Sequence, residues 1–277
     1  MVDGVALKGP QHPVRLKWHR LRRSRDDIDF TIARLLDGLN AGASMEVDLR
    51  RHADPGFVCL HDETLDRETD GSGPIATAKP ALLRNLRLRD QAGIVSKQPI
   101  LFFEDLVEIL GSGAQSGIVQ LDLKESRDKL DDATIRDFAR LARRCADRLT
   151  LSGEDWEAVR ALGNDVPGLA LGFDPCELPA AHKLKTLADF ADFVRLTLAT
   201  APDATIVYLH YPLIIASLDA GFDIVGGFHD AHRTVDAWTL DTTSGDFFTC
   251  LRRLVACGID QITTNEPIAV QRAWDSL

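Results

Sequence analysis

Short apolar runs alternate with stretches of helical spacing along nearly the whole chain, and this alternation limits the fold more than any other feature. The runs are VRLKW (14–18), SMEVDLR (44–50), GIVQLDLK (117–124), LTLSG (149–153), GLALGFD (168–174), ATIVYLHY (204–211), TVDAWTLD (234–241) and DQITTNEP (260–267). Each is short enough for a buried strand, and the segments between them place apolar residues three and four apart. Eight candidate parallel strands with helices between them predict an α/β fold, a (β/α)8 TIM barrel, with a doubly wound sheet as the alternative. The barrel is preferred because chemically capable residues stand at the C-terminal end of nearly every strand. A length of 277 residues suits one such domain, 1–277.

Two segments stand out from this rhythm. After the first strand, Ile28, Ile32, Leu35, Leu36 and Leu39 recur at helical spacing behind Ser24 and Asp27, which are spaced as a capping box. After the second, ADPG reads as a turn and PGFVCLHD (55–62) as a return strand. A long polar stretch follows, with one amphipathic piece, ALLRNLRLRD, before the helix FEDLVEIL (103–110). Such a length is unusual for a plain connection, so a small insertion subdomain is expected at roughly 63–103.

The net charge of −10 argues against a nucleic-acid partner. The basic run VRLKWHRLRRSR (14–25) is a local exception, and Arg22 to Arg25 read as a solvated face. Arg20 differs because it follows His19 at the end of a strand. The five cysteines are odd in number and lack CxxC spacing, which suggests reduced thiols in a cytoplasmic protein. The amino-terminal MVDGVALKGPQHPV has no apolar signal region, and no run is long enough for stable membrane insertion. Oligomeric state is not readable.

Side chains two apart on a strand point the same way. Glu46 and Asp48 therefore share one side of the second strand, Asp122 and Lys124 one side of the third, and His19 ends the first. On neighbouring barrel strands the three carboxylates converge. A return about residues 54–55 brings a position near His61 opposite Asp48. An all-oxygen set suits a hard cation, Mg2+ or Ca2+. Without one, three converging carboxylates would repel and some would protonate. Arg20 and Lys124 would neutralise a phosphate, and His19 and His61 could divide the proton work. His12, His52, His182 and His232 read as surface or loop residues, while His210 and His229 could line a pocket.

These residues resemble the glycerophosphodiester phosphodiesterase family. That family opens with HRG and an ENT triplet, continues with ExD, HDxxLxRTTxG and ExK, and closes with WT and TDxP. Here the matching pieces read HR (19–20), DFT (29–31), EVD (46–48), HDETLDRETDG (61–71), DLK (122–124), WT (238–239) and TNEP (264–267). The resemblance implies a metal-dependent TIM-barrel phosphodiesterase that hydrolyses a small-molecule glycerophosphodiester to glycerol 3-phosphate and an alcohol. It implies metal ligands Glu46, Asp48 and Asp122, an acid–base pair His19 and His61, Arg20 and Lys124 on the phosphate, Trp238 in the pocket, and an insertion that helps close the glycerol side.

Several positions depart from the family pattern. Leu21 replaces Gly, which leaves the loop less free to adopt unusual backbone angles. Asp29 replaces Glu, and Phe30 replaces Asn with loss of a polar contact. Asp122 replaces Glu and is one methylene shorter, so the ion shifts, a water intervenes, or affinity falls. Asn265 replaces Asp. Two alternatives follow: a related phosphodiesterase of the phospholipase D or C type, or a catalytically weakened barrel that binds a phosphorylated ligand.

Overall fold

The computed structural model describes residues 3–113 and 116–277, so Met1 and Val2 of the amino-terminal stretch lie outside the described residues. A two-residue strand, β1 (Ala6–Leu7), pairs antiparallel with β2 (Val14–Trp18) and is an element the alternation did not reveal. The chain continues through α1 (Ile32–Ala41), β3 (Ser44–Arg51) and the return strand β4 (Phe57–Cys59). Next come α2 (Pro80–Leu83), β5 (Arg87–Arg89), β6 (Val95–Pro99) and α3 (Phe103–Gly111).

Regular alternation then begins with β7 (Ile118–Leu123), α4 (Asp132–Ala142), β8 (Leu149–Gly153), α5 (Trp156–Gly163), β9 (Ala170–Phe173) and α6 (Leu187–Thr200). It ends with β10 (Ile206–His210), α7 (Tyr211–Asp219), α8 (Ile224–His229), β11 (Thr234–Trp238), α9 (Phe247–Ala256), β12 (Gln261–Thr264) and α10 (Pro267–Asp275).

The parallel strands run in the order β2-β3-β7-β8-β9-β10-β11-β12, and β12 pairs again with β2. This is a closed (β/α)8 barrel. Closure removes sheet edges and brings the C-terminal ends of all eight strands around one opening. Apolar side chains pointing outward from the strands, such as Leu16, Val47 and Leu121, are buried against the helices. Among the described residues, no helix is long and apolar enough to cross a membrane.

Between β4 and α3 the chain leaves the barrel wall. Strands β5 and β6 form a separate two-stranded sheet, and Leu65, Ile75, Leu83, Leu88 and Ile100 pack with Val58 and Phe102 in a cluster of their own. The amphipathic piece is not one helix. It divides into the single turn α2 and strand β5, because Leu88 is buried through strand pairing rather than on a helical face.

Local corrections follow from particular contacts. Helix α1 begins at Ile32, capped by the Thr31 hydroxyl, which accepts the Arg34 N–H. Ser24 and Asp27 form no capping box for it. The Asp27 carboxylate instead accepts N–H groups of Arg23 and Ser24 in the preceding loop, and Ile28 packs beside the insertion cluster. His52 is buried rather than superficial, with its ring against Phe102. His229 lies far from the opening: its Nε2 meets Asp260, which accepts the Val235 N–H at the start of β11. All five cysteines are free thiols, four of them buried.

Candidate active site

The loop after β2 turns back over the barrel. Arg20 and Leu21 both adopt positive φ, 53° and 63°, and Phe30 does so at 57°. Such angles usually cost a non-glycine residue about 1–2 kcal/mol. Leu21 thus takes the unusual conformation despite its side chain. Full burial of Leu21 and Phe30 offsets the cost, and the Phe30 N–H donates to the Arg20 carbonyl across the loop. The bend directs the Arg20 N–H to Glu46 Oε2 at 2.7 Å. Arg22 is part of this arrangement rather than a solvated charge, because its guanidinium grips Asp29 on both carboxylate oxygens.

His19 is anchored from behind. Its Nδ1 lies 2.8 Å from Asn265 Oδ1, and Asn265 Nδ2 donates to Asp241 Oδ2 at 2.7 Å. Asp241 Oδ1 also accepts the Asn265 N–H and the Thr264 hydroxyl. The ionised Asp241 can only accept, so the Asn265 amide nitrogen must face it and the amide oxygen must face His19. The Nδ1 therefore carries the ring proton, leaving Nε2 with a lone pair. Burial first, and the Arg20 cation second, lower the His19 pKa to about 4.

Strand pairing brings the acids together. Asp48 is opposite Asp122 in the β3–β7 ladder, and Glu46 is two residues back on the same side. One oxygen from each of Glu46, Asp48 and Asp122 lies within 4.8 Å of the others. Asp48 Oδ2 is buried and accepts no hydrogen bond, with Arg20 Nε 3.4 Å away. Burial, then Asp48 and Asp122, push the Glu46 carboxyl well above the usual range. Burial also disfavours charge on Asp122, but Lys124, the Ser152 hydroxyl and Lys17 together outweigh it and the net shift is downward. The Lys124 ammonium contacts Asp122 Oδ2 at 2.5 Å and Asp48 Oδ1 at 3.2 Å. A buried acceptor lacking a donor, in a set of three carboxylates that strains to hold its charge, fits a hard divalent cation bound by oxygens.

The ladder β3–β4 places Leu49 opposite Cys59, so Asp48 falls opposite Leu60, one residue short of His61. His61 still lines the same cavity, at the turn beyond β4. Its Nδ1 is 2.9 Å from Asp62 Oδ1, and Arg67 forks onto both Asp62 oxygens. That fork, more than the His61 contact, holds the Asp62 carboxyl well below the usual range. Glu68 stands where the family pattern has its first Thr. Its buried carboxylate accepts the N–H groups of His61 and Asp62 and so supports the turn.

A cavity of about 270 Å³ at the barrel mouth is lined by His19, Arg20, Glu46, Asp48, His61, Asp122, Lys124 and Trp238. All eight sequence-derived site residues thus meet there. Trp238 ends β11 and stacks on His210, with ring centroids 4.8 Å apart. Sequence reasoning missed other residues of the same wall: Lys17, Gln120, Glu154, Asp174, Tyr208 and Thr263. Asp174 directly follows the last residue of β9, and this strand-end position was its available signal. Burial raises its pKa to about 7.

Comparison with known proteins agrees with this geometry. The sequence model of the glycerophosphoryl diester phosphodiesterase family matches residues 23–269. No curated protein matches the chain in sequence. Among solved structures, a Silicibacter pomeroyi protein classed as a glycerophosphoryl diester phosphodiesterase is 20% identical with a TM-score of 0.73, covering 95% of this chain and 93% of its own. An Oleispira antarctica phosphodiesterase, solved with the product sn-glycerol-3-phosphate, is 21% identical with a TM-score of 0.69 over 94% and 96% of the two chains. The Thermotoga maritima glycerophosphodiester phosphodiesterase is 17% identical with a TM-score of 0.65, over 96% and 99%.

Proposed function

The chain belongs to the glycerophosphoryl diester phosphodiesterase family, and from that premise we propose that it hydrolyses glycerophosphodiesters to glycerol 3-phosphate and an alcohol with the help of a divalent cation. One observation carries this reading: three carboxylates from adjacent strands, two cations and two histidines line a single cavity. Glu46, Asp48 and Asp122 would hold Mg2+ or Ca2+. The bound cation would supply Lewis-acid stabilisation of charge on the phosphoryl oxygens.

The chain's own groups do the rest. Arg20 and Lys124 bind the phosphate and balance its charge. His19, with Nδ1 committed to Asn265, offers Nε2 as the base toward the nucleophile. His61, beside Asp62, donates the proton to the departing alkoxide. Trp238 packs against the substrate, and the insertion at 63–103 closes the glycerol side. The product held by the Oleispira antarctica relative supports the choice of substrate. The free thiols suit a cytoplasmic setting.

The test is hydrolysis of glycerophosphocholine and glycerophosphoethanolamine by purified protein, with and without Mg2+ or Ca2+. Metal-dependent release of glycerol 3-phosphate is expected. No such release from either diester would sink the proposal.

A further inference from the structure

Beneath the cavity the barrel interior is polar, and its polar groups are joined in one direction. Lys17 Nζ donates to Gln120 Oε1. Gln120 Nε2 donates to Ser152 Oγ at 2.7 Å, and Ser152 Oγ donates to Asp122 Oδ1 at 2.9 Å. The polarity of each link is forced. An ammonium only donates, so the Gln120 oxygen must face Lys17 and its amide nitrogen must face Ser152. The Ser152 hydroxyl receives that N–H and turns its own proton to Asp122, which as a carboxylate only accepts.

The rest of the layer is built to hold Lys17 in place. Its side chain is only 2% exposed, yet it meets Asp236 at 3.0 Å and lies 4.3 Å from the centre of the Tyr208 ring. Asp236 in turn accepts Gln261 Nε2 at 2.5 Å and Thr263 Oγ1 at 2.6 Å. The two buried charges of this layer, Lys17 and Asp236, therefore partner each other, the condition under which such a network rigidifies a site.

We propose that this donor chain orients Asp122, and that Ser152 and Gln120 are positioning residues for the cation site. The inference rests on the reading of that site given above. Asp122 and Ser152 are directly opposed in the β7–β8 ladder. By occupying Oδ1, Ser152 leaves Oδ2 as the oxygen turned to Lys124, whose ammonium also meets Asp48. Asp122 then offers a cation one oxygen, in a fixed direction. This matters more for an aspartate than for a glutamate, because its shorter side chain has less freedom to adjust. Hydrogen-bond partners behind ligands commonly govern affinity by about 10–100-fold.

Calorimetric titration of Mg2+ and Ca2+ into metal-stripped protein tests this without reference to turnover. Ser152→Ala is expected to weaken binding by about 10–100-fold, and Ser152→Thr, which keeps the hydroxyl, to restore most of it. Gln120→Met breaks the chain one link further back and is expected to weaken binding less, by several-fold. Thermal unfolding of the metal-free variants should stay within a few degrees of wild type. Unchanged affinity in Ser152→Ala, with wild type binding normally, would overturn this inference alone. A wild type that binds neither ion would overturn the site reading as well.

Discussion

The two histidines of the cavity are the same side chain held in opposite ways. His19 is half-buried, its side chain 22% exposed, and its Nδ1 rests on the neutral amide of Asn265, itself fixed by Asp241. His61 has a side chain 37% exposed at a turn, and its Nδ1 rests on the carboxylate Asp62, whose charge Arg67 already shares. In both cases Nδ1 is anchored and Nε2 is left for chemistry. Burial, and after it the Arg20 cation, keep the His19 ring from holding an extra proton, although the Asn265 contact works weakly the other way. The difference teaches that the surroundings of each ring, rather than the ring itself, separate the two positions. It is consistent with the proposed roles, His19 as base and His61 as acid.

The largest effects come from removing either ring. His19→Ala and His61→Ala should each lower turnover of glycerophosphocholine by about 100-fold or more. The comparison is broken open by changing the leaving group. A p-nitrophenyl diester departs without a proton, so His61→Ala should regain most of its rate on that substrate while His19→Ala stays slow. Steady-state rates for both variants on both substrates decide it. Equal recovery would remove the asymmetry.

A smaller effect is expected from exchanging the anchor. Asn265→Asp puts a carboxylate behind His19, which should raise its pKa by about one unit or more from its present value of about 4. The acidic limb of kcat/KM, which reports the free enzyme, should move to higher pH by a similar amount. An unmoved limb would mean that another group sets it.

The chain announced much of this site because its acids lie within strands, where period-two alternation can be read directly. Glu46, Asp48 and Asp122 were legible for that reason, as was the barrel that gathers them. The support behind them was not. Lys17 looked like one member of a basic run, and only its pairing with Asp236, 219 positions away, explains its burial. Asn265 looked like a simple replacement, but its function depends on Asp241 across a loop. The positive φ at Leu21 and Phe30 runs against local preference and is held by burial, which the sequence does not display. Glu68 lay inside the most specific motif yet was silent, since its partners are backbone N–H groups.

The smallest expected effect concerns Asp174, which lines the same cavity without belonging to either histidine's anchor. Burial raises its pKa from 3.8 to about 7, although the Cys176 N–H partly opposes the shift. A carboxyl raised in the folded state contributes stability that is fully present below its unfolded value and is lost as pH rises through about 7. Between those values the unfolded chain has released the proton and the folded one still holds it. Asp174→Asn keeps an acceptor for the Cys176 N–H and cannot ionise. Wild type and variant should therefore unfold at similar temperatures near pH 4, and at pH 8 the variant should be more stable by a few degrees. Thermal unfolding of metal-free protein across pH 4–8 measures the gap. A gap independent of pH would mean that Asp174 ionises in the fold as it does in water, leaving the two histidines to titrate beside a constant negative charge.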